Sequence, residues 1–281
     1  VDLSAEASLS FGLDHTREAF ETDTDSGKVD TTAVFGEYLA AVSPDFDLSV
    51  ALRYDDNSLF RGQTTGRVAA AWRPMPDMVL RGVVATGFRA PSLFELYSGS
   101  FGNPNLVPEQ SRSVELGIDQ AFGGLTLGAT LFYTEIDDLI RFSGGGYNQI
   151  AGTSVTRGVE LTADYALTDA LSIFGNYTFT DAEDQNGNRL RRVPRHDTLL
   201  GITGEFGANW SGSFTVQHVA DRVDPAKMPD YTLANAQVAY GLTDTTEVYL
   251  RVENLLDEEY QTATGYGTSD RAFYIGLRTR F

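Results

Sequence analysis

Residues 272–281 read AFYIGLRTRF, and the alternation in this stretch decides the fold class. Phe273, Ile275, Leu277, Thr279 and Phe281 share one face of an extended chain, while Tyr274, Gly276, Arg278 and Arg280 share the other. A period of two is the signature of a β-strand with chemically distinct faces. The run before it repeats the pattern, with Val248, Leu250 and Val252 set against Glu247, Tyr249, Arg251 and Glu253. Working back along the chain, Val159, Leu161, Ala163, Tyr165 and Leu167 oppose Glu160, Thr162 and Asp164, and Val114, Leu116 and Ile118 oppose Glu115, Gly117 and Asp119. No stretch longer than two turns carries a helical stripe.

About fourteen such runs are expected from this alternation, near 3–13, 31–42, 46–55, 64–73, 78–88, 111–122, 124–135, 151–167, 171–181, 195–206, 209–220, 231–241, 245–254 and 271–281. Most are about ten residues long, the length a tilted strand needs to cross a bilayer, where globular strands run about five or six. The connections sort by length. Short ones, such as Ser43-Pro44-Asp45, Gly123-Gly124 and Leu242-Thr243-Asp244, alternate with long polar ones at 14–30, 56–63, 89–110, 136–150, 182–194, 221–230 and 255–270. Short turns on one side and long loops on the other are the layout of an outer-membrane barrel.

Aromatic placement points the same way. Trp72, Phe122, Phe206, Tyr240 and Phe281 sit beside the short turns, in phase with the apolar set of their strands, as a membrane-interface girdle would. Phe88, Tyr133 and Phe179 are placed to supply the opposite ring. In lipid only a closed sheet satisfies every backbone polar group, so the lipid face is hydrocarbon and the inner face is free to be charged. The expectation is an all-β fold, a transmembrane antiparallel up-and-down β-barrel, with residues 1–281 forming one barrel domain.

Composition narrows the function classes. The chain has 281 residues, 42% of them hydrophobic, no cysteine and a formal net charge of −18. Without cysteine there are no disulfide frameworks or thiolate metal sites. The acidic balance argues against nucleic-acid binding, which clusters Lys and Arg against phosphate, and suits cations or cationic ligands better. No run of about 18 apolar residues exists to make a membrane helix, which leaves a barrel untouched. His196 and His218 lie on strand runs with no evident nucleophile partner, so no enzyme is expected.

Two stretches carry a family resemblance. GFRAPSLFELY, from Gly87 to Tyr97, followed by GNPNLVPEQSRSVELGI, resembles the paired boxes of TonB-dependent outer-membrane receptors. VENLLDEEYQTATGYGTSDRAFYIGLRTRF, which ends at Phe281, resembles their terminal segment. The resemblance implies a barrel of about 22 strands in the outer membrane of a Gram-negative bacterium, an N-terminal plug, and energy supplied through TonB. About fourteen strands and no plug are readable here, so the expectation is the C-terminal portion of a larger receptor barrel, completed elsewhere in the receptor or by another chain. A plugless reduced barrel with a structural or interaction role is the alternative, and a passive pore is a third.

The implied function is uptake of a large scarce nutrient. The terminal segment resembles that of cobalamin receptors, and ferric siderophore receptors share the upstream boxes. Haem receptors of this superfamily carry a histidine between the boxes, whereas the interval from Ser92 to Gly102 has none. Candidate ligand contacts in the long loops are Arg89, Phe94, Tyr97, Phe101, Asn103, Asn105, Tyr147 and Tyr266, with Pro91, Pro104 and Pro108 stiffening the segment. The alternative for the FRAP and NPNL boxes is turn and packing chemistry. Asp23, Asp25 and Asp30 in DTDSGKVD are a candidate calcium cluster, since hard cations want grouped oxygens; a solvated acidic loop is the other reading.

Overall fold

A computed structural model describes residues 1–280. Phe281, the last expected girdle residue, lies outside them. The chain is an antiparallel β meander with strands β1 (Ala7–Glu21), β2 (Ser26–Ser43), β3 (Phe46–Asn57), β4 (Arg61–Trp72), β5 (Met78–Arg89), β6 (Glu109–Phe122), β7 (Leu125–Asp137), β8 (Ile140–Ser143), β9 (Gly146–Gln149), β10 (Thr153–Thr168), β11 (Leu171–Glu183), β12 (His196–Phe206), β13 (Trp210–Ala220), β14 (Tyr231–Thr243), β15 (Thr246–Glu253) and β16 (Ala272–Thr279). One helical turn, α1 (Leu93–Tyr97), follows β5. Fourteen strands form one sheet in chain order, from β1 to β7 and then from β10 to β16, while β8 and β9 make a separate hairpin. Every long strand falls on an alternating run of the sequence, and among the described residues β1 and β16 stand at the two ends of the order.

The chain divides into two compact units. In the first, built from 1–118, 131–157 and 183–188, registered pairs place Leu13 beside Val34 and Val34 beside Tyr54, all exposed. The other face of the same strands is charged. Asp14 lies 2.8 Å from Arg53, Arg53 also grips the buried Asp55, and Ser49 donates to Glu37 at 2.9 Å. In the second unit, of 119–130, 158–182 and 189 onward, Tyr240, Val248 and Leu277 line up across β14, β15 and β16, as do Leu250 and Ile275. On the opposite face Arg278 binds Glu247 at 2.6 Å, and Arg251 lies 4.4 Å over the Tyr274 ring.

A water-soluble sheet hides its apolar face. Here Leu13, Leu116, Leu131, Leu200 and Ile275 stay open, the last at 80%, while the opposite face pairs its charges. That inversion is what lipid as solvent demands. At the short-turn ends Trp72, Phe122 and Phe206 each close a strand and are exposed, and Tyr240 packs 4.8 Å from Trp210, a further aromatic at the same level. Gly276 matters because a Cβ there would come within 2.5 Å of the Tyr249 ring on the neighbouring strand.

Two expected long loops are corrected. Residues 14–30 and 56–63 are mostly strand: β1 runs to Glu21, β2 starts at Ser26, and β3 and β4 leave only 58–60 between them. The charged residues that read as loop instead pair across the ladder, with Arg17 opposite Asp30 and 2.6 Å from it, and His15 bonded to Thr32. A strand standing in water needs no apolar face, so hydropathy alternation alone underestimates its length.

Candidate functional site

The long-loop end of the first unit is where the quoted 87–109 segment folds. Ser92 caps α1: its hydroxyl accepts from the Glu95 amide at 3.2 Å, and the Glu95 carboxylate accepts from the Ser92 amide at 2.7 Å. This reciprocal box has the S-x-x-E spacing, inside a stretch expected as loop. Arg89, the first candidate contact, holds the ends of the loop together. It donates to Glu109 through Nε at 2.9 Å and Nη2 at 2.7 Å, and to Glu95 through Nη1 at 3.0 Å. Glu109 is buried and its Oε1 also accepts from the Ile140 amide at 2.7 Å, so one carboxylate joins the loop, the β5 end and the β8–β9 hairpin. Burial opposes charge on Glu95, but the Ser92 amide and the Arg89 guanidinium outweigh it and hold the carboxyl below its ordinary range.

Beneath lies a small hydrophobic core of Leu96, Leu106 and Ile140, flanked by Phe60, Tyr97 and Tyr147. The hairpin β8–β9 was not anticipated within 136–150, although Gly144-Gly145, both at positive φ, is a hairpin signal between Phe142 and Tyr147. Loop and hairpin are stitched by polar contacts. Asn103 donates to the Tyr147 carbonyl at 3.2 Å, Tyr147 donates its amide to the Phe101 carbonyl at 2.9 Å, and the Gln149 amide group donates to the Val107 carbonyl at 2.6 Å. Asn103 also accepts from the Asn105 amide at 3.0 Å, so these two candidates shape a turn.

The aromatic candidates do converge. Phe94 meets Phe20 edge to face at 5.8 Å and Tyr147 at 6.1 Å, Phe142 meets Tyr147 at 5.3 Å, and Phe101 meets Phe142 at 5.7 Å. Phe94, Phe101 and Phe142 remain exposed, whereas Tyr97 is turned down against the core and over Gly27. Phe20 and Phe142 were missed because each lay in a stretch read as featureless loop. Tyr266 is exposed in the 254–271 loop of the second unit.

Two of the three candidate calcium aspartates have partners of their own. Asp25 accepts from the Gly99 amide at 3.1 Å and from Thr24, tying the β1–β2 tip to the 90–108 loop. Asp30 is taken by Arg17, and Asp23 stands in the tip itself. Among the described residues no group of three or more His, Asp or Glu side chains converges to hold a metal ion.

The second unit has its own loop block. Buried Asp224 is bound by Arg192 at 2.8 Å and by the Thr264 amide at 3.0 Å, and Arg222 donates to the carbonyls of Gln261 at 2.7 Å and Pro229 at 2.9 Å. Burial raises the cost of charge on Asp224, yet the Thr264 amide and Arg192 hold its pKa below the ordinary value. Asn254 secures the start of the last loop by accepting from the Glu258 amide and donating to its carbonyl, each at 2.9 Å.

Comparisons with known proteins agree with this architecture. The family described as TonB dependent receptor-like, beta-barrel matches residues 3–255. The vitamin B12 transporter BtuB of Vibrio cholerae is 31% identical over 96% of this chain and 46% of its own length. The iron-regulated outer membrane virulence protein of the same species is 29% identical over 97% of the chain and 49% of its own. The chain thus spans about half the length of these relatives. A ferric enterobactin receptor of Pseudomonas aeruginosa superposes with a TM-score of 0.85 at 19% identity, over 99% of this chain and 52% of the receptor. A copper transporter, OprC, superposes with a TM-score of 0.81 at 18% identity, over 98% of this chain and 54% of that one. The first of these two likenesses, like the second, is one of fold. Strand order, exposed apolar face and matched sequence lead to one conclusion: the chain belongs to the TonB-dependent receptor family, as β-barrel wall in the outer membrane of a Gram-negative bacterium.

Proposed function

We propose that this chain is the C-terminal barrel portion of a TonB-dependent receptor that captures cobalamin, with the 90–108 loop and the β8–β9 hairpin as part of the capture surface. The observation that carries the cargo is the 31% identity to a vitamin B12 transporter across 96% of the chain. The geometry supports a rigid capture surface. Phe94, Phe101 and Phe142 leave part of their rings open to solvent on a platform already held by Glu109, Asn103 and Gln149, so little side-chain entropy is lost when a large ligand packs there. Arg89, Asn103, Asn105, Tyr97 and Tyr147 then act mainly by holding that platform. Translocation in this reading needs a plug and TonB, and the wall supplies the passage.

Binding of radiolabelled cyanocobalamin to outer-membrane vesicles carrying the protein tests the reading. Competition by unlabelled cobalamin and loss of binding on Phe94→Ala with Phe101→Ala are the expected results. Competition by a ferric siderophore instead would move the cargo to iron, the second choice. No binding of either, with steady single-channel conductance, would favour a passive pore.

A further inference from the structure

In most of this protein a carboxylate near an arginine is paired with it, as in Arg89 with Glu95 and Glu109, Arg192 with Asp224, and Arg271 with Asp257. One cavity gathers several carboxylates without such a partner. It lies in the second unit, against the start of β14, between the 221–230 and 254–271 loops, and has a volume of about 490 Å³. Asp230, Glu258, Glu259 and Asp270 line it, together with the rings of Tyr231 and Tyr260, and no Lys, Arg or His does. Among the described residues the carboxylates of Glu258, Glu259 and Asp270 accept no hydrogen bond and form no ion pair, and Asp230 only caps the Asp221 amide at 2.8 Å.

The two tyrosines stand 4.6 Å apart, tilted by 39°, which gives the cavity an aromatic wall. That wall is preformed. Thr268 donates to the Tyr260 carbonyl at 2.7 Å, Asn254 brackets Glu258, and Arg222 lies 4.6 Å over the Tyr231 ring while binding the carbonyls on either side of the cavity. The buried Arg222 charge opposes a cation, but four lining carboxylates outnumber it. Aromatic faces beside unpaired carboxylates recognise alkylammonium groups: the ring quadrupole and the negative field both attract a cation that is too large and too weakly hydrated to prefer water.

We propose that this cavity binds a small organic cation of the alkylammonium class. The inference goes beyond the cargo proposed above and does not depend on cobalamin being that cargo. Isothermal titration of the full chain in detergent micelles with choline, and with its neutral isostere 3,3-dimethylbutan-1-ol, tests it. Choline is expected to bind and the alcohol is not. Tyr260→Leu is expected to weaken choline at least about tenfold, Tyr260→Phe to restore it, and Glu258→Gln and Glu259→Gln to weaken it severalfold each. Because Glu259 is exposed and makes no side-chain hydrogen bond or ion pair among the described residues, its variant reports charge without unfolding. Absence of choline binding, equal binding of the alcohol, or binding indifferent to both glutamine variants would overturn the proposal.

Discussion

The wall strands and the loop block of the first unit bury opposite things. On β6 and β7 the large apolar side chains Leu116 and Leu131 are about 59% exposed, because lipid is their solvent. A short way along the chain Leu96 and Leu106 are almost wholly buried, because the loops that carry them stand in water. The same residue type is thus stabilised by two different surroundings within one unit. Hydropathy therefore has to be judged against the solvent each element meets, and substitution separates the two cases.

Leu96→Ala removes a buried side chain from the small core, which costs about 2–5 kcal/mol of local stability. Hydrogen exchange in 90–108 and in the β8–β9 hairpin is expected to accelerate, while exchange in β2 to β5 stays as it was. A global loss of protection would show that the block and wall are one cooperative unit. Leu116→Arg tests the wall in return. A cation near mid-strand on the lipid face costs about 2–4 kcal/mol. Folding titrations in phospholipid vesicles should show that loss, and an unchanged midpoint would place Leu116 away from lipid.

Glu109→Ala comes next, because it orphans the buried Ile140 amide as well as Arg89, at about 1–3 kcal/mol. The expected readout is faster proteolysis within 90–108, with the wall intact. Acid sharpens the contrast further. Glu95 and Asp224 both have pKa values lowered by folding, so the stability they contribute is present above the ordinary carboxylate range and is lost as pH falls through their depressed values. Loop protection is therefore expected to fade below about pH 4 before strand circular dichroism changes. Simultaneous loss would contradict the separation. The smallest effect is at Asp25→Asn, which weakens one exposed contact to Gly99 by about 0.5–1.5 kcal/mol, and chelation of calcium is expected to change nothing.

Much of this was legible because alternation is a one-dimensional signal. Fourteen strands, their faces and the aromatic ends at Trp72, Phe122 and Phe206 followed from periodicity, and the family followed from two motifs. The candidate site was legible in part. Phe94 and Phe101 could be named from the loop, whereas the Ser92–Glu95 cap lay inside a stretch expected as loop. The ring partners Phe20 and Phe142 could not be named, since each sits where a hairpin extends beyond the hydrocarbon and has no apolar phase to reveal it. Arg89 was read as a ligand contact, yet it clamps two carboxylates that lie 6 and 20 residues further along the chain. In DTDSGKVD the aspartates are near in sequence, but strand pleating turns Asp30 to Arg17 and the tip turns Asp25 to Gly99.

By itself, then, the sequence determined the strand ladder, because every second residue must suit the solvent on its side. The tertiary structure alone decided which polar groups meet. Charges on neighbouring strands and distant loops find partners through register and loop closure, and neither leaves a periodic trace. The unpaired carboxylates around Tyr231 and Tyr260 belong to that second class, since only the fold brings residues 230, 258, 259 and 270 to one cavity.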